Sequence, residues 1–199
     1  MGAITSGLDV FMRSKVYSPI KRALNERWRA NGQQRFYFGI GLNHGEVITG
    51  DMGSPEKSEF TVIGDPINLA SRMEGLTKSY YVDLLIGEDV RELVADKFVL
   101  QSIDRVRVKG KGTPTEVFAV HQRSDEPISE KLSSYLDRFA DAVQLYRSGR
   151  FADAEARFTT IMEDHPEDPS CRLYIGRCYL YLANPPGDDW DGVFTMKTK

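Results

Sequence analysis

No stretch of this sequence approaches the roughly 20 consecutive apolar residues that a bilayer-spanning helix requires, so no membrane segment is expected within it. Its start, MGAITSGLDVFMRSK, lacks the basic opening and continuous apolar core of a secretory signal, which makes the cytoplasm the default expectation. Cysteine is scarce. Cys171 and Cys178 stand seven residues apart, two turns along one predicted helix, too far for a disulfide and suited to small apolar core positions. The three histidines, His44, His121 and His165, are scattered and form no metal-ligand pattern with the cysteines. An excess of positive charge is absent as well: 26 Lys and Arg against 29 Asp and Glu leave a net charge of -3, no general electrostatic reason to bind nucleic acid. Any phosphate-binding function therefore has to be local. What remains is an ordinary globular composition, 41% hydrophobic and 28% charged, in 199 residues that suffice for one average domain and a small appendage.

Strand and helix patterns interleave up to about residue 121. Residues 15–30 are rich in helix formers, with Ile20, Leu24 and Trp28 at helical spacing and Asn31-Gly32 as the stop. RFYFGIGLN reads as a buried strand, HGE as a turn and VITGDMGS as a second strand, with a hairpin as the natural connection between them. EKSEFTVIGD supplies a third strand, PINLASRMEGLTK a helix and VDLLIG a short apolar strand covered on both faces. GEDVRELVADK makes a turn or two of helix, and FVLQSIDRVRVKG and TEVFAV form a final pair joined by KGKGTP. The expected division is a domain over 1–121, a polar Pro-containing linker over 122–131, helices over 132–185 and an irregular tail with a short extended segment over 186–199.

Two polar residues on the predicted helix after Gly64 stand out. Asn68 and Arg72 are four apart, hence stacked on one helix face where a carboxamide and a guanidinium can reach one ligand. Asp65 is expected to cap this helix, and Pro66 sits in the first turn, where its missing N–H costs nothing.

Three segments in sequence, GIGLNHGEVITGDMGS, FTVIGDPINLASRME and RVRVKGKGTPTEVFAV, resemble the catalytic domain of class III adenylate and guanylate cyclases over about 85 residues, 36–120. The resemblance implies an α+β, ferredoxin-like sheet, truncated at its N-terminal side. It also implies head-to-tail pairing of two domains, as a homodimer or with a complementing cyclase subunit, around clefts that hold ATP or GTP. By the same resemblance Asn68 is similar to the asparagine that orients the ribose, and Arg72 to the arginine that meets charge on the phosphates during ring closure. Thr61, seven residues before Asn68, matches the purine-reading position, and a threonine there points to ATP. Lys109 corresponds to a lysine on the terminal phosphates, with Lys111 as the alternate. The family's intact site holds Mg²⁺ or Mn²⁺ on two aspartates. SGLDVFM is only faintly similar to the second-aspartate hairpin, and the 30 residues from Asp9 to Gly39 are too few for the intervening helix and strand. The expectation is a transition-state half-site whose isolated chain is inactive, or, alternatively, an inactive nucleotide- or protein-binding module.

The region after 131 resembles a tetratricopeptide repeat. Gly149, Phe151, Ala154, Phe158 and Pro166 fall where the repeat's turn glycine, aromatics, small crossing residue and terminating proline belong, and Ala142 and Gly176 stand one 34-residue repeat apart. One repeat and one extra helix have too little stacked core to stand alone, so this segment is expected to pack on something, and it offers a surface for a protein partner.

Overall fold

The computed structural model describes residues 17–33, 38–54, 57–107 and 113–195. In chain order these form α1 (Tyr17–Ala30), β1 (Ile40–Leu42), β2 (Ile48–Ser54), β3 (Lys57–Ile63), α2 (Asp65–Tyr80), β4 (Leu84–Gly87) and α3 (Glu88–Val94). There follow β5 (Phe98–Arg107), β6 (Thr115–Arg123), α4 (Glu130–Arg147), α5 (Phe151–Asp164), α6 (Pro169–Ala183) and β7 (Phe194–Thr195). The architecture is α+β. A mixed sheet with strand order β1-β4-β6-β5-β7 carries helices on both faces, and β2 and β3 form a separate two-stranded sheet.

The expected hairpin between the first two strands is not what forms. β1 pairs in parallel with β4, and β2 pairs antiparallel with β3, with Ile48 opposite Ile63 and Ser54 opposite Lys57. Glycine explains where β1 goes. A Cβ at Gly41 would run into the backbone of Ala70 and Glu74, and one at Gly39 into the Thr77 side chain, so the bare strand can lie directly under α2. That close approach ties the first strand to the helix that carries Asn68 and Arg72.

The sheet is filled from both sides. On one face Leu69, Met73, Leu76 and Tyr80 of α2 pack on Leu85, Ile103, Val106, Val117 and Ala119. On the other, Val90 and Val94 of α3 meet Leu84, Ile86, Phe98 and Phe118. β4 is buried along its whole length, as a strand covered on both faces must be.

The C-terminal helices have their own core of Phe139, Ala142, Val143, Tyr146, Phe151, Ala154, Phe158, Ile161, Cys171, Tyr174 and Cys178. Ser129 caps α4 through the Leu132 N–H, and Asp168 caps α6 through the Cys171 N–H at 3.0 Å. Gly149 turns the chain between α4 and α5 with φ +77°, a conformation that favours glycine. Both cysteines are free and buried on α6, and burial pushes the Cys178 thiol up to about 12.

This helical core docks on the α2 face of the sheet through a buried polar cluster. Arg177 of α6 donates to Asp104 of β5 and, at 3.1 Å, to the Tyr80 hydroxyl, which itself donates to Asp104. Ser170 Oγ donates to the Tyr80 carbonyl at 3.0 Å, and the Tyr174 hydroxyl donates to the Ile103 carbonyl at 2.8 Å. Burial pushes the Tyr80 phenol well above its ordinary value, and the neighbouring Asp104 adds to the effect. The tail, an irregular turn followed by a short extended segment, closes over the same cluster. β7 pairs in parallel with β5, Phe194 lies 3.9 Å below the Arg177 guanidinium, and Trp190 packs on Tyr146 and Phe151 while donating to the Arg147 carbonyl.

Candidate active site

The strand-to-helix turn after β3 sets the site. Gly64, not Asp65, occupies the cap position of α2, and no side chain caps it. The Gly64 carbonyl accepts from the Ile67 and Asn68 N–H groups at 3.2 and 3.3 Å. Asp65 is instead the first helical residue, where its charge complements the positive end of the helix dipole, and Pro66 follows in the first turn. Gly64 also sits where a Cβ would press on the Glu46 carbonyl at 3.3 Å, so the 43–47 loop lies close against the helix start. Asn43 in that loop reaches the Pro66 carbonyl with its amide nitrogen at 3.5 Å, while its own Oδ1 is buried without a partner.

Helical periodicity then sorts α2 into two sides. Leu69, Met73, Leu76, Thr77 and Tyr80 are buried, and Asn68, Arg72 and Gly75 are exposed, so the carboxamide and the guanidinium stand one turn apart on the outer face. Thr61 lies on β3 opposite Gly50 and is half-buried, on the two-stranded sheet and not on α2. An open concavity lined by Glu46, Val47, Ile48, Ile63 and Gly64 adjoins the start of α2. Lys109 and Lys111 lie outside the described residues.

The profile of the adenylate and guanylate cyclase catalytic domain matches residues 16–122, just over half of the chain. The chain belongs to this family. It is 32% identical over 143 residues to the terminal-differentiation-specific adenylate cyclase of Dictyostelium discoideum, covering 70% of this chain and 7% of that protein. It is 44% identical over 92 residues to an adenylate cyclase of Anabaena cylindrica, covering 45% of this chain and 18% of that one. Among solved structures, the adenylyl cyclase CyaB from P. aeruginosa is similar at 27% identity with a TM-score of 0.42, over 53% of this chain and 54% of that chain. The chain thus spans less than a fifth of the length of these curated relatives.

Cyclase catalytic domains use Mg²⁺ or Mn²⁺. Among the described residues no three His, Cys, Asp or Glu side chains come together to hold such an ion, and they do not fit a metal pair. Nor is any helix among the described residues long and apolar enough to cross a membrane. Asn43 is the residue near this cyclase turn that sequence reasoning missed. Its place in GIGLNHGE showed a turn, but not that the turn would fold back against the first turn of α2.

Proposed function

We propose that this chain supplies the phosphate-facing half of an adenylate cyclase site, which converts ATP to 3′,5′-cyclic AMP and pyrophosphate, and that a partner cyclase domain provides the metal-holding carboxylates. The observation that carries the reading is the exposed Asn68–Arg72 pair on a helix whose opposite face is locked onto the sheet. In ring closure the ribose 3′-oxygen attacks the α-phosphorus and loses its proton to solvent water. The bond from that phosphorus to the oxygen bridging to the β-phosphate breaks, and pyrophosphate leaves with the electron pair. Negative charge grows on the phosphate oxygens, and Arg72 meets it with two donors from its guanidinium. Asn68, one turn earlier, holds the ribose so that the 3′-oxygen lies in line. Thr61 reads the purine, its hydroxyl accepting from the adenine amino group or donating to a ring nitrogen. Lys109 is assigned to the terminal phosphates by family resemblance alone.

Pairing with a second cyclase domain, as a homodimer or a complementing pair, is supported by the β2–β3 sheet. Ile48 is 71% exposed on one face of this ribbon, with Met52 and Ile63 exposed on the same face, and Phe60 is 71% exposed on the other with Val62, so both faces carry apolar side chains that a monomer would leave wet. We read α4–α6 as a tetratricopeptide-like module able to receive a protein partner. The buried Ala154 at the helix crossing and the Gly149 turn support this.

The test is complementation. The purified chain is mixed with a metal-competent cyclase domain whose own asparagine and arginine have been replaced, and cyclic AMP is followed with ATP and Mn²⁺. Restored synthesis is the expected result, and no rescue over any mixing ratio defeats the proposal.

A further inference from the structure

The buried cluster between the helical module and the sheet grips one particular element. Tyr80 is the last residue of α2, and both of its ends are held: its hydroxyl by Asp104 and Arg177, its carbonyl by Ser170. Ser170 and Arg177 both belong to α6, seven residues and about two turns apart, so one face of α6 carries the whole grip. Arg177 is enclosed there by the rings of Tyr80, Tyr174 and Phe194 and is only 4% exposed.

Tyr80 lies eight residues beyond Arg72, about 12 Å along the axis at 1.5 Å per residue. The helix between them is continuous, and a helix moves as a rod, so an axial shift or rotation at Tyr80 arrives undiminished at Arg72 and Asn68. The sheet-facing contacts of Leu69, Met73 and Leu76 are apolar and non-directional, and they resist such sliding less sharply than hydrogen bonds of fixed geometry do.

Resting on the cyclase reading above, we propose that Ser170 and Arg177 are positioning residues. Acting through Tyr80, they fix the axial placement of α2 and hence of Asn68 and Arg72, so the helical module sets the turnover of the nucleotide site. Displacing a reacting group by about 1 Å costs on the order of 100-fold in rate, which makes even a small loosening measurable.

The test uses the full chain complemented with the metal-competent domain. The double variant Tyr80→Phe, Ser170→Ala removes two hydroxyls but keeps the rings and the Arg177–Asp104 pair, so the fold is retained. The expected result is a fall in kcat of about 10- to 100-fold with KM within about two-fold. Amide exchange in the isolated chain should quicken at 69–73 as well as at 77–80, while β5 and β6 stay protected. Should the double variant unfold, Ser170→Ala alone carries the same test with a smaller fall. Unchanged kcat, or faster exchange confined to 77–80, overturns the proposal. An Arg72→Ala control separates the two ideas. If it is silent, the nucleotide-site reading falls and this inference with it, whereas a large Arg72 effect beside a silent double variant overturns this inference alone.

Discussion

Replacing Arg177 by methionine takes the cation from a pocket in which Asp104 accepts hydrogen bonds from both Arg177 and Tyr80. Asp104 is fully buried, its Oδ1 already accepting the Arg105 N–H at 2.7 Å, so water cannot replace the lost partner. Removing one member of a buried ion pair costs about 3–5 kcal/mol, because an uncompensated charge stays behind. Methionine also gives up the stacking of the guanidinium on Phe194 at 3.9 Å, a contact that anchors β7. For a chain of this size each kcal/mol lowers Tm by roughly 2–4 °C, so the expected fall is about 6–20 °C. Urea unfolding followed by far-UV circular dichroism measures the same loss as a lower midpoint. Substituting both partners, Asp104→Asn with Arg177→Met, leaves Tyr80 an acceptor and no buried charge, and should recover stability to within about 2 kcal/mol of wild type. A single-variant loss under about 1 kcal/mol, or a double variant no better than the single, would refute the view that this pair holds the helical module to the sheet.

Two glycines should respond in opposite directions. Gly41→Ala drives a Cβ into the backbone of α2 and should cost about 1–3 kcal/mol or more in urea unfolding, whereas Gly75→Ala, exposed in the same helix with nothing within 4 Å, should gain up to about 1 kcal/mol. Burial holds the His121 imidazole below its ordinary 6.5 against the smaller pull of Asp168, so the folded chain resists protonation. Its stability should be full above about pH 6.5 and fall as pH drops through that value, and His121→Gln should remove this slope from a pH series of Tm values. Burial opposes the Glu116 carboxylate, but the Ser102 hydrogen bond and Arg147 outweigh it and hold the pKa below the ordinary 4.5. That stabilisation should be present above about pH 4.5 and lost as pH falls further, and Glu116→Gln should abolish that acid limb. Phe60→Glu on the exposed hairpin should abolish self-association in sedimentation velocity without lowering Tm by more than about 2 °C, and unchanged association would move the pairing surface elsewhere.

Much of the scaffold could be read from residues. The two faces of α2, the fully apolar β4 and the β5–β6 pair follow from periodicity, and the glycine turn at Gly149 from a repeat-like spacing. Strand partnership was harder. An apolar run such as RFYFGIGLN signals a strand but not its neighbour, and β1 reaches β4 because Gly39 and Gly41 admit α2, a reason that exists only in three dimensions. Asp104 was hidden for a different reason. A register shift in β5 between Ser102 and Asp104 breaks the alternation, so Ile103 and Asp104 are both buried and an acid expected at the surface points inward. Arg177 likewise reads as the solvated side of a helix until its partners on β5 and α2 are seen. Where the tail docks left no local pattern, because its place comes from contacts with α4, α6 and β5. At the candidate site, Asn68 and Arg72 were legible because a single helix spaces them, while Asn43 acts across 23 residues of sequence and left no local mark.

If Arg72 meets charge that develops on the phosphates, one substitution shows it most directly. In the complemented pair, Arg72→Ala should lower kcat for cyclic AMP formation by about 10²–10³, the loss of roughly 2.7–4 kcal/mol of transition-state stabilisation, with the exposed position costing no more than about 1 kcal/mol of stability. A variant that makes cyclic AMP at the wild-type rate would contradict the account.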